Sequence, residues 1–216
     1  MTRLAELVVS AEPQAWRDAG FAVDADAMSQ VGLVRLRLDP AAGDHGLRSW
    51  VLAAAPDAGM TEVDGLPTAH GTPPPMPAPA GDHPVGASAI DHVVVATPDL
   101  ARTIAAIETG LGLPLLRTRD ADSPGAPLRQ AFFRMGEVVL EVVGVSEPDP
   151  RGGPAHFYGI AMTVEDLDAA VEQAGDRIGR PQPAVQRGRS IATFGRAAGL
   201  GVPVALMSPP PARGAR

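Results

Sequence analysis

The chain has 216 residues, a formal net charge of −7, no Cys, and 45% hydrophobic residues against only 4% aromatic ones. That length admits one large domain or two small ones with a real core of Val, Leu, Ile and Ala. The acidic balance argues against a nucleic-acid partner, which needs basic patches, and the absence of Cys excludes disulfides, thiolate zinc sites, iron–sulfur clusters and a Cys nucleophile. No apolar run has the length of a membrane helix or the form of a signal peptide, so a cytoplasmic location away from membranes is the expectation.

In chain order, residues 4–10 read as a strand, 13–19 as a short helix ended by Gly20, and 31–38 and 47–54 as strands. From Pro56 to Gly86 the composition shifts to Pro and Gly, including Pro73-Pro74-Pro75, and predicts an extended linker over 56–87. Residues 90–96 form an apolar strand. Thr97 can cap the helix that follows, Pro98 suits its first turn, and Asp99 favours its positive end. Leu100, Ile104, Ile107 and Leu111 give that helix one apolar face, and Gly110 and Gly112 end it. A short strand over 115–119, a loop over 123–127, and a hairpin of 130–135 and 137–143 turning near Gly136 complete the order β-α-β-β-β.

Residues 156–207 repeat that order: a strand over 157–163, a helix lined by Leu167, Ala170, Val171 and Ala174, and later strands over 190–194 and 202–207. Pro203 marks the last as an edge or bulged strand. The tail 209–216 reads as frayed. Both clear copies carry an Asp-Leu pair at the helix start, Asp99-Leu100 and Asp166-Leu167, and residues 4–55 read as a third, degenerate copy without one.

Two side chains stand out. Glu141 lies inside the apolar run Val138–Val143, where a carboxylate is costly unless paired, protonated or coordinating something. By alternation it shares a face with Val139 and Val143, a face open either to solvent or to a cavity. His92 alternates with Ile90 and Val94 in the first strand of the same copy.

The signature Ile-Asp-His-Val-Val-Val-Ala-Thr-Pro-Asp-Leu at 90–100, with the β-α-β-β-β order, resembles the vicinal oxygen chelate superfamily, which includes glyoxalase I, extradiol dioxygenases and bleomycin-resistance proteins. The resemblance implies an α+β fold in which two modules pair into a cup-shaped sheet around a small-molecule site. It also implies a first-strand His and a last-strand Glu facing the cavity as ligands of a divalent metal. Those positions match His92 and Glu141, with Glu141 also the candidate catalytic residue. The next module offers Gly159 and Ala205 there, and the N-terminal copy offers Glu6 and Val51. His156 falls on the opposite face from Gly159 and could join only through a bulge or register shift. Glu6 reads as structural, and His45, His70 and His83 as solvated loop residues.

Arg117, Arg119, Arg129, Arg134, Arg187 and Arg189 lie on expected strands or loops near the cup, where an arginine would select an anionic ligand. The sequence does not rank them. No Gly-x-Ser-x-Gly or phosphate-loop pattern occurs, and Gly-Leu-Gly at 110–112 and 199–201 reads as helix end and turn. The expected organisation is a degenerate module over 1–55, the linker 56–87, a two-module domain over 88–208 and the tail. The unpaired N-terminal module would be covered by the cup or by a second chain in a homodimer. Two functions stay open: a metal-dependent lyase, isomerase or dioxygenase of the glyoxalase type, and a metal-free protein that binds or sequesters a small molecule.

Overall fold

A computed structural model of the chain describes residues 1–41, 46–53, 61–71, 82–121, 127–145, 147–149 and 152–211. The elements run β1 (Arg3–Ser10), α1 (Pro13–Asp18), β2 (Met28–Val31), β3 (Val34–Leu38), β4 (Gly46–Ala53), β5 (Glu62–Val63), β6 (Leu66–His70) and β7 (Ala87–Thr97). They continue with α2 (Leu100–Leu111), β8 (Arg117–Ala121), β9 (Leu128–Met135), β10 (Val138–Val145), β11 (His156–Val164), α3 (Leu167–Ala174), β12 (Gln182–Pro183), β13 (Ser190–Thr193) and β14 (Val204–Met207). Among the described residues no helix is long and apolar enough to cross a membrane.

The fold is α+β and built from β-α-β-β-β modules. One sheet has the order β12-β13-β14-β11-β7-β10-β9-β8. In each of its halves the first strand of a module lies innermost, the last strand lies beside it, and the middle strands lie outward. The second sheet, β2-β3-β1-β4-β6-β5, obeys the same rule with one strand fewer per half. Its degeneracy therefore takes a specific form. β4, which the sequence pattern makes the closing strand of a single module, instead opens a second short half completed by β5 and β6. Val51 accordingly lies on a first strand, not a last one. Strand periodicity reports which face is buried but not which neighbour a strand pairs with.

The stretch read as linker thus contains a hairpin. Its signal was Asp64-Gly65 between Val63 and Leu66. Both turn residues have positive φ, 48° and 89°, as an Asp-Gly hairpin turn requires. The surrounding prolines masked it.

The chain forms two compact units. The first comprises Met1–Val8, Leu47–Pro74 and His92–Gly159. Its central helix is α2, whose N-cap is Asp99: the carboxylate accepts from the Arg102 N–H at 3.0 Å. Thr97, the cap expected from sequence, sits outside the helix and accepts from the Asp99 N–H at 3.1 Å. Asp is as good a cap as Thr, and here it stands one residue before the first helical turn. Asp166 caps α3 in the same way, so the repeated Asp-Leu pair is a repeated helix start.

α2 buries Leu100, Ile107 and Leu111 and packs on β9, β10 and β5. A Cβ added at Gly144 of β10 would lie 3.2 Å from the Leu100 Cβ, which identifies the face of β10 that carries Val138, Leu140 and Val142 as the helix-covered one. The β5–β6 tip is tied to α2 by Asp64. Its carboxylate accepts from Arg102 Nε at 2.7 Å and from the Thr103 hydroxyl, and its carbonyl accepts from the Ala155 N–H at 2.8 Å.

The second unit comprises Val9–Gly46, Pro75–Asp91 and Ile160–Arg216. Fully buried Trp16 donates from Nε1 to the Leu200 carbonyl at 3.2 Å, and Phe21 packs between the rings of Trp16 and Phe194 at 4.9 and 6.0 Å. His83, expected to be solvated, is half-buried here. Its Nδ1 accepts from the Ala22 N–H at 3.0 Å, its Nε2 faces the Gln30 carbonyl at 2.8 Å, and its ring meets the edge of Phe21 at 5.9 Å. His70, also expected in loop, is half-buried on β6, and His45 falls outside the described residues.

Burial lowers the His83 pKa from its ordinary value of 6.5, against the opposing pull of the Gln30 carbonyl and Asp82. The neutral ring is the one that fits, because Nδ1 must keep its lone pair for Ala22. The unfolded chain takes up the proton first, so the stabilisation from His83 is complete above about pH 6.5 and is lost as pH falls below it. In urea denaturation, the stability difference between wild type and His83→Phe should shrink from pH 7 to pH 5. A difference that stays constant over that range would contradict this role.

Candidate functional site

The face of β10 opposite α2 carries Val139, Glu141 and Val143. β10 pairs in parallel with β7, placing Val139 beside His92 and Glu141 beside Val94. It pairs antiparallel with β9, placing Arg134 beside Val139, Phe132 beside Glu141 and Gln130 beside Val143. β8 adds Arg117 beside Phe132 and Arg119 beside Gln130. Directly paired residues share a face. The result is three rows on one face: His92-Val139-Arg134, Val94-Glu141-Phe132-Arg117, and Val143-Gln130-Arg119.

His92 and Glu141, set together by the superfamily resemblance, lie close to one another. Nε2 of the first lies 3.9 Å from Oε2 of the second, and each side chain keeps 12% of its surface exposed. That separation exceeds a direct hydrogen bond and leaves room for an atom to be shared. The other carboxylate oxygen, Oε1, accepts from the Gln130 side-chain amide. The Gln130 carbonyl oxygen in turn accepts from Arg119, through Nε at 2.9 Å and through Nη2. The order of donors fixes the Gln130 amide: its oxygen must face the guanidinium and its nitrogen the carboxylate. A chain Arg119–Gln130–Glu141 therefore holds one side of the carboxylate, and the other side faces His92.

Neither Gln130 nor Phe132 was singled out from sequence. A neutral amide in a strand carries no chemical signature of its own. Only the pairing register, which sets Gln130 one row from Glu141, reveals it.

Residues 89–190 match the family model described as Glyoxalase/Bleomycin resistance protein/Dioxygenase superfamily. That segment belongs to this superfamily. A mutant of 4-hydroxymandelate synthase from Streptomyces coelicolor shares the fold, with a TM-score of 0.68 over 98% of this chain and 94% of that one, at 14% identity. Methylmalonyl-CoA epimerase from Mycobacterium tuberculosis is similar over 58% of this chain and 91% of its own, with a TM-score of 0.46 and 20% identity. Among curated proteins no match is found.

The glyoxalase-superfamily resemblance implies a divalent metal on His92 and Glu141, and the donor set can be tested against that. Catalytic metal sites take three protein ligands, such as two His and a carboxylate. Among the described residues, no group of three or more His, Cys, Asp or Glu side chains converges on a point where an ion could sit. The register also shows that the second module supplies none. Ala205 stands beside Ala161, two residues past Gly159, as Glu141 stands beside Val94, two past His92. His156 is exposed at the start of β11. Glu141 already gives Oε1 to Gln130. One imidazole and one half-engaged carboxylate do not fit a tight divalent site.

The arginines fall into distinct settings. Arg189 is buried in the second unit, donating to Asp91 Oδ2 at 2.6 Å, to Thr163 Oγ1 at 3.3 Å and to the Ser208 carbonyl at 2.8 Å, so it is structural. Arg129 pairs with Asp120 at 3.3 Å, Arg134 donates to the Glu137 carbonyl at 3.2 Å, and Arg119 is committed to Gln130. Arg187 is exposed between β12 and β13. Arg117 lies over the Phe132 ring, 4.6 Å from its centroid.

Calorimetric titration of the purified chain with Zn²⁺, Mn²⁺ or Co²⁺ should show no one-equivalent binding tighter than about 10 μM, the level expected of an incomplete ligand set. A tight equivalent abolished by both His92→Ala and Glu141→Gln would contradict this reading.

Proposed function

We propose that this glyoxalase-superfamily chain binds a small anionic molecule on the open face of β7–β10 and moves a proton on it with Glu141 and His92 as the acid–base pair. The observation that carries the reading is the two-sided setting of Glu141. Gln130 holds one oxygen, and the other lies 3.9 Å from the imidazole on the sheet face that α2 leaves uncovered. General acid–base catalysis needs a carboxylate or imidazole within reach of the proton it transfers and oriented before substrate arrives. The Arg119–Gln130 chain supplies the orientation, while His92 is placed to take up or return the proton.

A second reading, a binding or sequestering protein without chemistry, draws on Gly159 and Ala205, which leave the second module with no reactive side chain at the corresponding positions.

Solvent exchange separates the two. Small 2-oxo and 3-oxo carboxylates incubated with the protein in D₂O should show protein-dependent deuteration at the carbon next to the carbonyl, followed by proton NMR. Glu141→Gln should lower that rate by about 100-fold or more, the usual scale of a positioned acid–base group. Binding without exchange across the panel would leave the sequestering protein as the correct description.

A further inference from the structure

Resting on the anionic-ligand reading above, we propose that Arg117, carried on the ring of Phe132, is the residue that recognises the ligand, and that the ligand presents a single planar carboxylate. The six candidate arginines are not equivalent. Four have their donors engaged: Arg189 by Asp91, Thr163 and Ser208, Arg129 by Asp120, Arg134 by Glu137 and Arg119 by Gln130. Arg187 is exposed in the loop between β12 and β13. Arg117 has no hydrogen bond or ion pair among the described residues, and it shares the sheet face of Glu141.

Its position is set by packing rather than by a counter-ion. The Arg117 guanidinium lies 4.6 Å from the Phe132 centroid and that of Arg119 5.6 Å from the same ring, with the ring itself buried. A guanidinium resting on a ring face is held by cation–π attraction and keeps its edge N–H groups available. Phe132 is the direct neighbour of Glu141 across β9 and β10. Arg117 itself lies on β8, two strand spacings, roughly 10 Å, from the strand that carries the carboxylate. A ligand whose carboxylate lies a few atoms from its exchangeable C–H can meet Arg117 with one end and Glu141 with the other.

The edge of a guanidinium matches a carboxylate in a planar, two-point contact. A single arginine on this sheet face without a hydrogen-bonded or ionic partner among the described residues suits one negative charge better than two. This favours a carboxylate over a phosphate.

The test is a chemical-shift titration of the full-length ¹⁵N-labelled chain with pyruvate, pyruvamide and inorganic phosphate. Pyruvate should bind at least ten times more tightly than either of the others. Arg117→Ala should weaken pyruvate at least tenfold, and Arg117→Lys should restore only part of the loss, because an ammonium lacks the planar fork. Arg187→Ala should bind as wild type does. Glu141→Gln should keep pyruvate binding while losing deuterium exchange, so a failure of acid–base chemistry is read separately from a failure of recognition. Equal binding of pyruvamide, tighter binding of phosphate, unchanged binding by Arg117→Ala, or no pyruvate binding at all would overturn the assignment.

Discussion

The candidate site depends on how one carboxylate is accommodated in an apolar strand. Glu141 interrupts Val138–Val143, whose alternate residues pack under α2. Leaving an ionised carboxylate there without partners would cost several kcal/mol. The fold answers with Gln130 on one oxygen, Arg119 behind Gln130, and His92 3.9 Å from the other oxygen. None of these groups is adjacent in sequence. They meet because β7, β10, β9 and β8 are neighbours in one sheet and their registers place the four side chains on a single face.

The same strand order repeats the position that carries this arrangement, and the side chains decide where it is filled. Both sheets follow one rule, with first strands innermost and last strands beside them. The rule creates the same paired position several times. His92 and Glu141 occupy it in one module, while Gly159 and Ala205 occupy it in the next. The shorter sheet places Glu6 on β1, where it is buried. Repetition of the backbone plan is thus independent of repetition of the chemistry, as expected when function resides in side chains set on a shared fold.

Much of this was legible in the sequence. The repeated Asp-Leu pairs marked two helix starts, and the structure shows Asp99 and Asp166 as their caps. Glu141 stood out as a charged residue in a Val-rich strand, and the resemblance to the vicinal oxygen chelate superfamily set His92 beside it. What could not be read was long-range. The order of β4, β5 and β6 depends on strand partners that periodicity does not encode, and the Asp64-Gly65 hairpin was hidden among prolines. Gln130 is chemically unremarkable until the register of β9 sets it against β10. His83 looked like a loop residue because its partners, Ala22 and Gln30, lie far away in the chain.

The central claim is that Gln130 and Glu141 act as one unit that holds the carboxylate in place. A double-mutant cycle of Gln130→Leu and Glu141→Leu, measured by urea unfolding, addresses it directly. A coupled pair should depart from additivity by about 1–2 kcal/mol, because either single change strands the polar group of the other. Additivity within about 0.3 kcal/mol would mean that the two side chains do not support one another, and the account of the site would fail.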